Sequence, residues 1–148
     1  MPKGILAMIE ILKAEPIHAL EVKDLLKQLG YESQELEIIS ALSQQDRSSE
    51  VFVAKKENQI IALMALIYFY YFPLQQSLCR ITAIVVDKNL RNAGVGKKLI
   101  NFAATQAQSK SCAQLEVTTS LARKATQAYY ERNGFKKASY RYYLEIGN

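Results

Sequence analysis

The feature that most constrains this chain is a short turn with two glycines, Arg91-Asn92-Ala93-Gly94-Val95-Gly96-Lys97. A strand-like segment, residues 81–86, precedes the turn, and a segment with helical periodicity follows it. Glycine lets the backbone approach a ligand closely, and the first N–H groups of a helix have no intrahelical partner. Since the helix dipole adds partial positive charge at the same place, the turn predicts a site for an anion such as a diphosphate. Taken alone, the same pattern is also common in tight turns that bind nothing.

The residues on either side of this turn resemble the GNAT superfamily of acyl-CoA-dependent N-acyltransferases. In that family a strand ending in Val-Asp leads to an R/Q-x-x-G-x-G/A turn at a helix start, and a later helix contains F/Y-Y-E-x-x-G-F. Here Val86-Asp87 precedes Arg91, and the later motif reads Tyr130-Glu131-Arg132-Asn133-Gly134-Phe135. Residues 9–31 also resemble the family's first strand and helix, so the resemblance extends over the whole chain.

The resemblance implies an N-acetyltransferase that uses acetyl-CoA as the acyl-donor cosubstrate. It places the pantetheine arm along the backbone of Ile84, Val85 and Val86 and the diphosphate on the glycine turn. The cofactor-binding residues implied there are Arg91, Asn92, Ala93, Gly94, Val95, Gly96 and Lys97. Arg123 lies in a stretch that touches the cofactor arm in the family, and its alternative role is to cap the start of a helix.

Two residues are candidates for proton transfer. Tyr130 matches the family position from which a phenol protonates the departing thiolate, whereas we interpret Tyr129 as a packing residue. Glu116 lies in Leu115-Glu116-Val117, which resembles the strand that contains the general base in ribosomal-protein N-terminal acetyltransferases. An edge-facing or salt-bridged Glu116 is an equally good interpretation, and a water relay is then the alternative base.

Length and composition favour one folded domain, residues 1–148, with 49% hydrophobic and 22% charged residues. The net charge is +5, and the sequence contains no nucleic-acid-binding motif. We therefore interpret the positive charge as suited to a polyanionic cofactor. The apolar run 60–72 is too short to span a bilayer, so we interpret it as a long buried strand. No segment resembles a signal peptide, which favours the cytoplasm.

The remaining candidate groups point to no other chemistry. Cys79 and Cys112 lack the spacing of a zinc site and are expected to pack in the core, so we infer no covalent catalysis and no metal. His18 is the single histidine and has no triad or metal partner in view. We expect it at the surface.

Apolar periodicity predicts helices at 16–29, at about 33–45 with Ser33 as cap, at 94–109, and after Ser120 up to residues 133–134. Strands are predicted at 50–56, 59–71, 79–87, 115–119 and 140–146, the first two joined by a tight turn near Asn58. The predicted fold class is therefore α/β (α+β), with a mixed, mostly antiparallel sheet and helices on both of its faces.

The function implied is transfer of an acetyl group to a primary amine of a small molecule or peptide by direct attack, with no nucleic-acid or membrane partner. The alternative is a non-catalytic acyl-CoA-binding regulatory module. Homodimers are common in the family.

Overall fold

The computed structural model describes residues 8–91 and 93–147. Five strands are assigned in these residues: β1 (Ile9–Lys13), β2 (Ser49–Lys56), β3 (Gln59–Tyr71), β4 (Gln76–Val86) and β5 (Leu115–Val117). The α-helices are α1 (Ala19–Leu29), α2 (Glu35–Ser43), α3 (Val95–Ser109) and α4 (Lys124–Arg132). Short 3₁₀ helices lie at Pro16–His18, Phe72–Leu74 and Lys88–Leu90.

The five strands form one sheet in the order β1-β2-β3-β4-β5. The first three pairings are antiparallel, and β4 pairs with β5 in parallel. The apolar run 60–72, which was interpreted as a long buried strand, corresponds to β3. None of the helices in the described ranges is long and apolar enough to cross a bilayer. The mixed, mostly antiparallel sheet confirms the predicted fold class.

One face of the sheet packs against α3. Met64 and Leu66 of β3 and Leu99 and Ala103 of α3 are all fully buried in this core. Their spacing follows from the two periods of the sequence, since alternate residues of a strand and every third or fourth residue of a helix share a face.

The opposite face packs against α1 and α2. Val53 and Leu63, each one residue out of phase with the α3 face, are buried there with Leu25 of α1 and Leu42 of α2. Helices therefore cover both faces of the sheet, as predicted.

Three helix starts differ from the sequence prediction. The helix expected from residue 16 begins as a 3₁₀ helix and becomes α-helical at Ala19. Ser33 does not cap α2, which begins at Glu35 after an N-cap Gln34 that makes no side-chain capping bond. Ser120 does not cap α4, which begins four residues later at Lys124. The Oγ of Ser120 instead accepts a hydrogen bond from the Ala122 N–H at 3.1 Å and closes a separate turn.

The predicted strand 140–146 is wrong. Residues 135–147 contain no strand, and the side chains of Tyr142 and Leu144 are 89% and 82% exposed. Alternating aromatic residues supply a preference for extended backbone, but a strand also needs a hydrogen-bonded neighbour. In the described part of the chain the sheet ends at β5.

The chain divides into two compact units, one through Thr118 and one from Thr119 onwards. The first contains the whole sheet with α1, α2 and α3, and the second contains α4 and the residues that follow it.

Candidate functional site

Strand β4 loses one of its neighbours halfway along its length. Its parallel pairing with β5 stops at Ile81 and Val117, whereas its antiparallel pairing with β3 continues to Val86. In residues 82–86 the backbone groups on the β5 side therefore face no strand of the described chain. Such an edge accepts an extended ligand as an additional strand. The three residues expected to hold the pantetheine arm, Ile84, Val85 and Val86, all lie in this half of β4.

A β-bulge at Thr82 marks the place where the strands separate. The register between β3 and β4 slips by one residue there, so the alternation of side chains along β4 changes phase. Cys79 and Ile81 pack on the α3 side before the bulge, and Ile84 and Val86 pack on the same side after it. The sequence did not reveal this feature, because threonine is favoured in regular strands and does not mark a bulge.

The chain then passes through a well-anchored 3₁₀ turn. The Asp87 N–H donates to the Ile61 carbonyl at 2.8 Å, and Asp87 Oδ1 accepts from the Asn89 N–H at 3.2 Å. From α1, Gln28 Oε1 accepts from the Lys88 N–H at 2.9 Å. These bonds hold the end of β4 and the approach to the glycine turn in one conformation.

Arg91 folds back from the turn onto the end of β4. Its Nε donates to the Val86 carbonyl at 3.1 Å. This bond uses one of the five N–H donors of a guanidinium, a group that also binds phosphate well. The prediction for Asn92 concerns a position outside the described residues. Ala93 packs against the apolar core on the α3 side.

The first turn of α3 is suited to an anion. Gly94 is its N-cap with a φ of 87°, a left-handed conformation that favours glycine. The Lys98 N–H donates to the Gly94 carbonyl at 3.1 Å, so the N–H groups of residues 95–97 precede the helical hydrogen-bond ladder. The turn contains Lys97 and no acidic residue. Since negative charge near a helix N-terminus is stabilised by the helix dipole, this arrangement is electrostatically favourable for an anion.

A separate open cavity lies beside the 3₁₀ turn and does not suit a diphosphate. Its lining includes the carboxyl-bearing residues Glu21 of α1 and Asp87. Two carboxylates repel a polyanion, so the first turn of α3 is the better place for one.

Glu116 forms an ion pair. The Nε of Arg80 lies 2.7 Å from Glu116 Oε1, and the two residues face each other in the parallel register of β4 and β5. Their side chains are 35% and 31% exposed. The guanidinium of Arg80 also lies over the Phe69 ring, 4.9 Å from its centroid. The structure therefore shows the salt-bridged alternative for Glu116. No sequence pattern indicated that its partner is Arg80, which lies 36 residues earlier in the chain.

Tyr130 and Arg123 belong to the second unit. Tyr130 is only 8% exposed, and its ring centroid lies 5.8 Å from that of Tyr129 and 5.5 Å from that of Phe135. Burial raises the pKa of the Tyr130 phenol above its ordinary value of 10.0, Tyr129 raises it further, and Arg123 lowers it. Arg123 occupies the N-cap position of α4. Tyr130 therefore stays protonated at neutral pH.

The cysteines and the histidine lie in structural positions. Cys79 is fully buried, and this burial raises the pKa of its thiol to about 12. Cys112 is half-buried, and its pKa is also raised by burial. His18 Nδ1 accepts a hydrogen bond from the Glu15 N–H at 3.0 Å at the start of the first 3₁₀ helix. Within the described ranges no group of three His, Cys, Asp or Glu side chains is arranged to hold a metal ion.

The sequence profile of the acetyltransferase (GNAT) domain matches residues 47–137. This chain belongs to the GNAT acetyltransferase family. The matched segment of this GNAT chain includes β4, the glycine turn, Glu116 and Tyr130. A search of curated protein sequences finds no match.

Solved structures share the fold of this GNAT chain. A transcriptional regulator from Bacillus halodurans C-125 is 17% identical, with a TM-score of 0.84 over 93% of this chain and 99% of that one. A ribosomal-protein-alanine N-acetyltransferase from Brucella melitensis biovar Abortus 2308 is 17% identical, with a TM-score of 0.78 over 93% and 99%. The aminoglycoside N-acetyltransferase AAC(6')-Iy in complex with CoA is 17% identical, with a TM-score of 0.82 over 93% and 94%. At these identities the similarity concerns the fold alone.

Proposed function

We propose that this GNAT-family chain is a cytoplasmic N-acetyltransferase that transfers the acetyl group of acetyl-CoA to a primary amine of a small molecule or peptide. One observation supports this proposal above the others. The half of β4 that has no β5 neighbour leads within a few residues to a helix start whose first N–H groups precede the helical hydrogen-bond ladder, with Lys97 and no acidic residue in the first turn. An extended arm followed by a diphosphate, as in a CoA thioester, matches these two features in order.

In the proposed reaction acetyl-CoA supplies an activated acetyl group, and the protein mainly positions the reactants. The amine lone pair attacks the thioester carbon, a C–N bond forms and the C–S bond breaks. Glu116 accepts the proton that the amine loses, and the Tyr130 phenol protonates the departing thiolate. Glu116 then releases its proton to solvent and Tyr130 regains one, so the net products are an amide and free CoA.

The raised pKa of Tyr130 bears on this role in two ways. The phenol is fully protonated at neutral pH and is therefore available as a donor. It is also a weaker acid than a thiol, whose ordinary pKa is near 8.5, so the proton transfer to sulfur is uphill, and least so once the C–S bond has broken and the full negative charge is on sulfur. The proposed acid thus acts late in the step.

The test combines binding with turnover. We expect acetyl-CoA to raise the melting temperature of the protein, and a panel of amino acids, polyamines, aminoglycosides and peptides to include at least one amine that triggers CoA release. Absence of a thermal shift at millimolar acetyl-CoA, in a correctly folded sample, would refute the cofactor assignment.

The alternative is a regulatory module that binds acyl-CoA without turnover. The similar structure from Bacillus halodurans is described as a transcriptional regulator, which makes this alternative concrete. It predicts a thermal shift with acetyl-CoA but no CoA release with any amine of the panel. Salt-dependent DNA binding would add a nucleic-acid role, which the sequence does not favour.

A further inference from the structure

Three side chains of neighbouring strands form a stack on one face of the sheet. The Phe69 ring of β3 supports the Arg80 guanidinium of β4, which donates from Nε to Glu116 of β5 at 2.7 Å. A planar guanidinium is suited to this double contact. Its flat face lies against an aromatic ring, while the N–H groups in its own plane bond to a carboxylate. The stack restricts the orientation of the Glu116 carboxylate.

The stack lies beside the opening between β4 and β5. Arg80 and Glu116 are one pair before Ile81 and Val117, where the pairing of these strands ends. Cys79 and Ile81 pack towards α3. Because side chains alternate along a strand, Arg80 and Glu116 are on the opposite face, and both remain partly exposed. A molecule in the opening can therefore reach the Glu116 carboxylate.

We propose that Arg80 is a positioning residue, which holds the Glu116 carboxylate in one orientation for removal of a proton from the attacking amine. This inference rests on the proposed function, in which Glu116 is the base. An ion pair as exposed as this one contributes little to folding stability, so its effect on the reaction is separable from its effect on the fold.

The experiment compares wild type, Arg80→Met, Glu116→Gln and the double variant in kcat, KM for the amine and Kd for acetyl-CoA. Methionine retains an apolar side chain over Phe69 but removes the bond to Glu116. We expect Arg80→Met to lower kcat by roughly 10- to 100-fold, the effect of a misplaced catalytic group, with an unchanged Kd. Arg80→Lys should recover part of this loss, because it keeps the charge without the planar donor pair.

The double variant identifies the route by which Arg80 acts. If Arg80 acts through Glu116, the double variant has the same kcat as Glu116→Gln alone. An equal loss from Arg80→Met in the presence and in the absence of Glu116 would overturn the proposal, as would a wild-type kcat in folded Arg80→Met. Rates are expressed per folded molecule, measured by circular dichroism, so that a loss of stability is not counted as a loss of positioning.

Lys13→Met is the matched control. Lys13 forms an ion pair of 3.0 Å with Glu50 elsewhere in the same sheet, and we expect this variant to keep the wild-type kcat. Failure of the proposed function would appear as no CoA release by the wild-type protein itself. Failure of the positioning role alone would appear as normal turnover by wild type and by Arg80→Met.

Discussion

Replacement of Gly96 by glutamate separates the stability of α3 from its capacity to bind a diphosphate. Gly96 lies in the first turn of α3 and, unlike Gly94, does not have a positive φ. Glutamate is favoured over glycine inside a helix by about 0.5 kcal/mol, and a carboxylate in the first turn adds about 0.3–1 kcal/mol through the helix dipole. We therefore expect the melting temperature of the unliganded protein to rise, by about 2–4 °C per kcal/mol for a chain of this size.

The new carboxylate belongs to the same first turn as the N–H groups that precede the hydrogen-bond ladder of α3, so it repels a phosphate bound there. A phosphate displaced from one of these donors loses a hydrogen bond between a charged and a neutral group, which costs about 1.5–3 kcal/mol. The Kd for acetyl-CoA should therefore increase by roughly 10- to 150-fold. Gly96→Glu is thus expected to be more stable than wild type and to bind more weakly.

Differential scanning fluorimetry measures the first effect and isothermal titration calorimetry the second. Thr105→Ala is the matched control, since Thr105 is an exposed residue of α3 whose Oγ1 bonds to the Asn101 carbonyl at 3.1 Å. Its replacement should also favour the helix, with no change in Kd. A Gly96→Glu protein with unchanged or raised stability and wild-type affinity would show that the first turn of α3 does not hold the diphosphate.

Three further predictions concern the catalytic acid, a buried thiol and the core. Tyr130→Phe should lower kcat by roughly one to four orders of magnitude with an unchanged Kd for acetyl-CoA, while Tyr129→Phe stays near wild type in the same steady-state assay. Burial raises the pKa of the Cys79 thiol from 9.0 to about 12. Because this thiol ionises first in the unfolded chain, its contribution to stability is present below pH 9 and is lost as pH rises above 9. Urea unfolding from pH 8 to 10.5 should show this loss in wild type and a smaller one in Cys79→Val. Leu99→Ala should reduce the free energy of unfolding by about 2–5 kcal/mol in urea titrations, because Leu99 is fully buried, and a smaller loss would indicate that α3 packs loosely.

Local sequence patterns predicted most of the elements around the candidate site. The hairpin was expected at 50–56 and 59–71 and is found at Ser49–Lys56 and Gln59–Tyr71. The helix after the glycine turn was expected at 94–109 and is found at Val95–Ser109. These predictions succeed because burial of one face imposes a period of 2 on a strand and of 3.6 on a helix, and both periods are visible within a single segment.

The failures of sequence reasoning share a different cause. The aromatic segment 140–146 has strand propensity, yet it contains no strand, because pairing depends on a neighbour that the segment does not encode. Ser33 and Ser120 have the chemistry of helix caps, but each helix begins elsewhere. A local preference of about 1 kcal/mol is easily exceeded by the packing of the whole element.

The sequence by itself determined the family motifs, the strand and helix that flank the glycine turn, and the candidate residues for anion binding and proton transfer. Tertiary structure alone decided that β4 and β5 separate after Ile81, that a bulge at Thr82 changes the phase of β4, and that Glu116 is paired with Arg80. The reason is physical. Periodicity and turn chemistry act between residues a few positions apart, whereas strand register and ion pairing join residues that only the folded chain brings together.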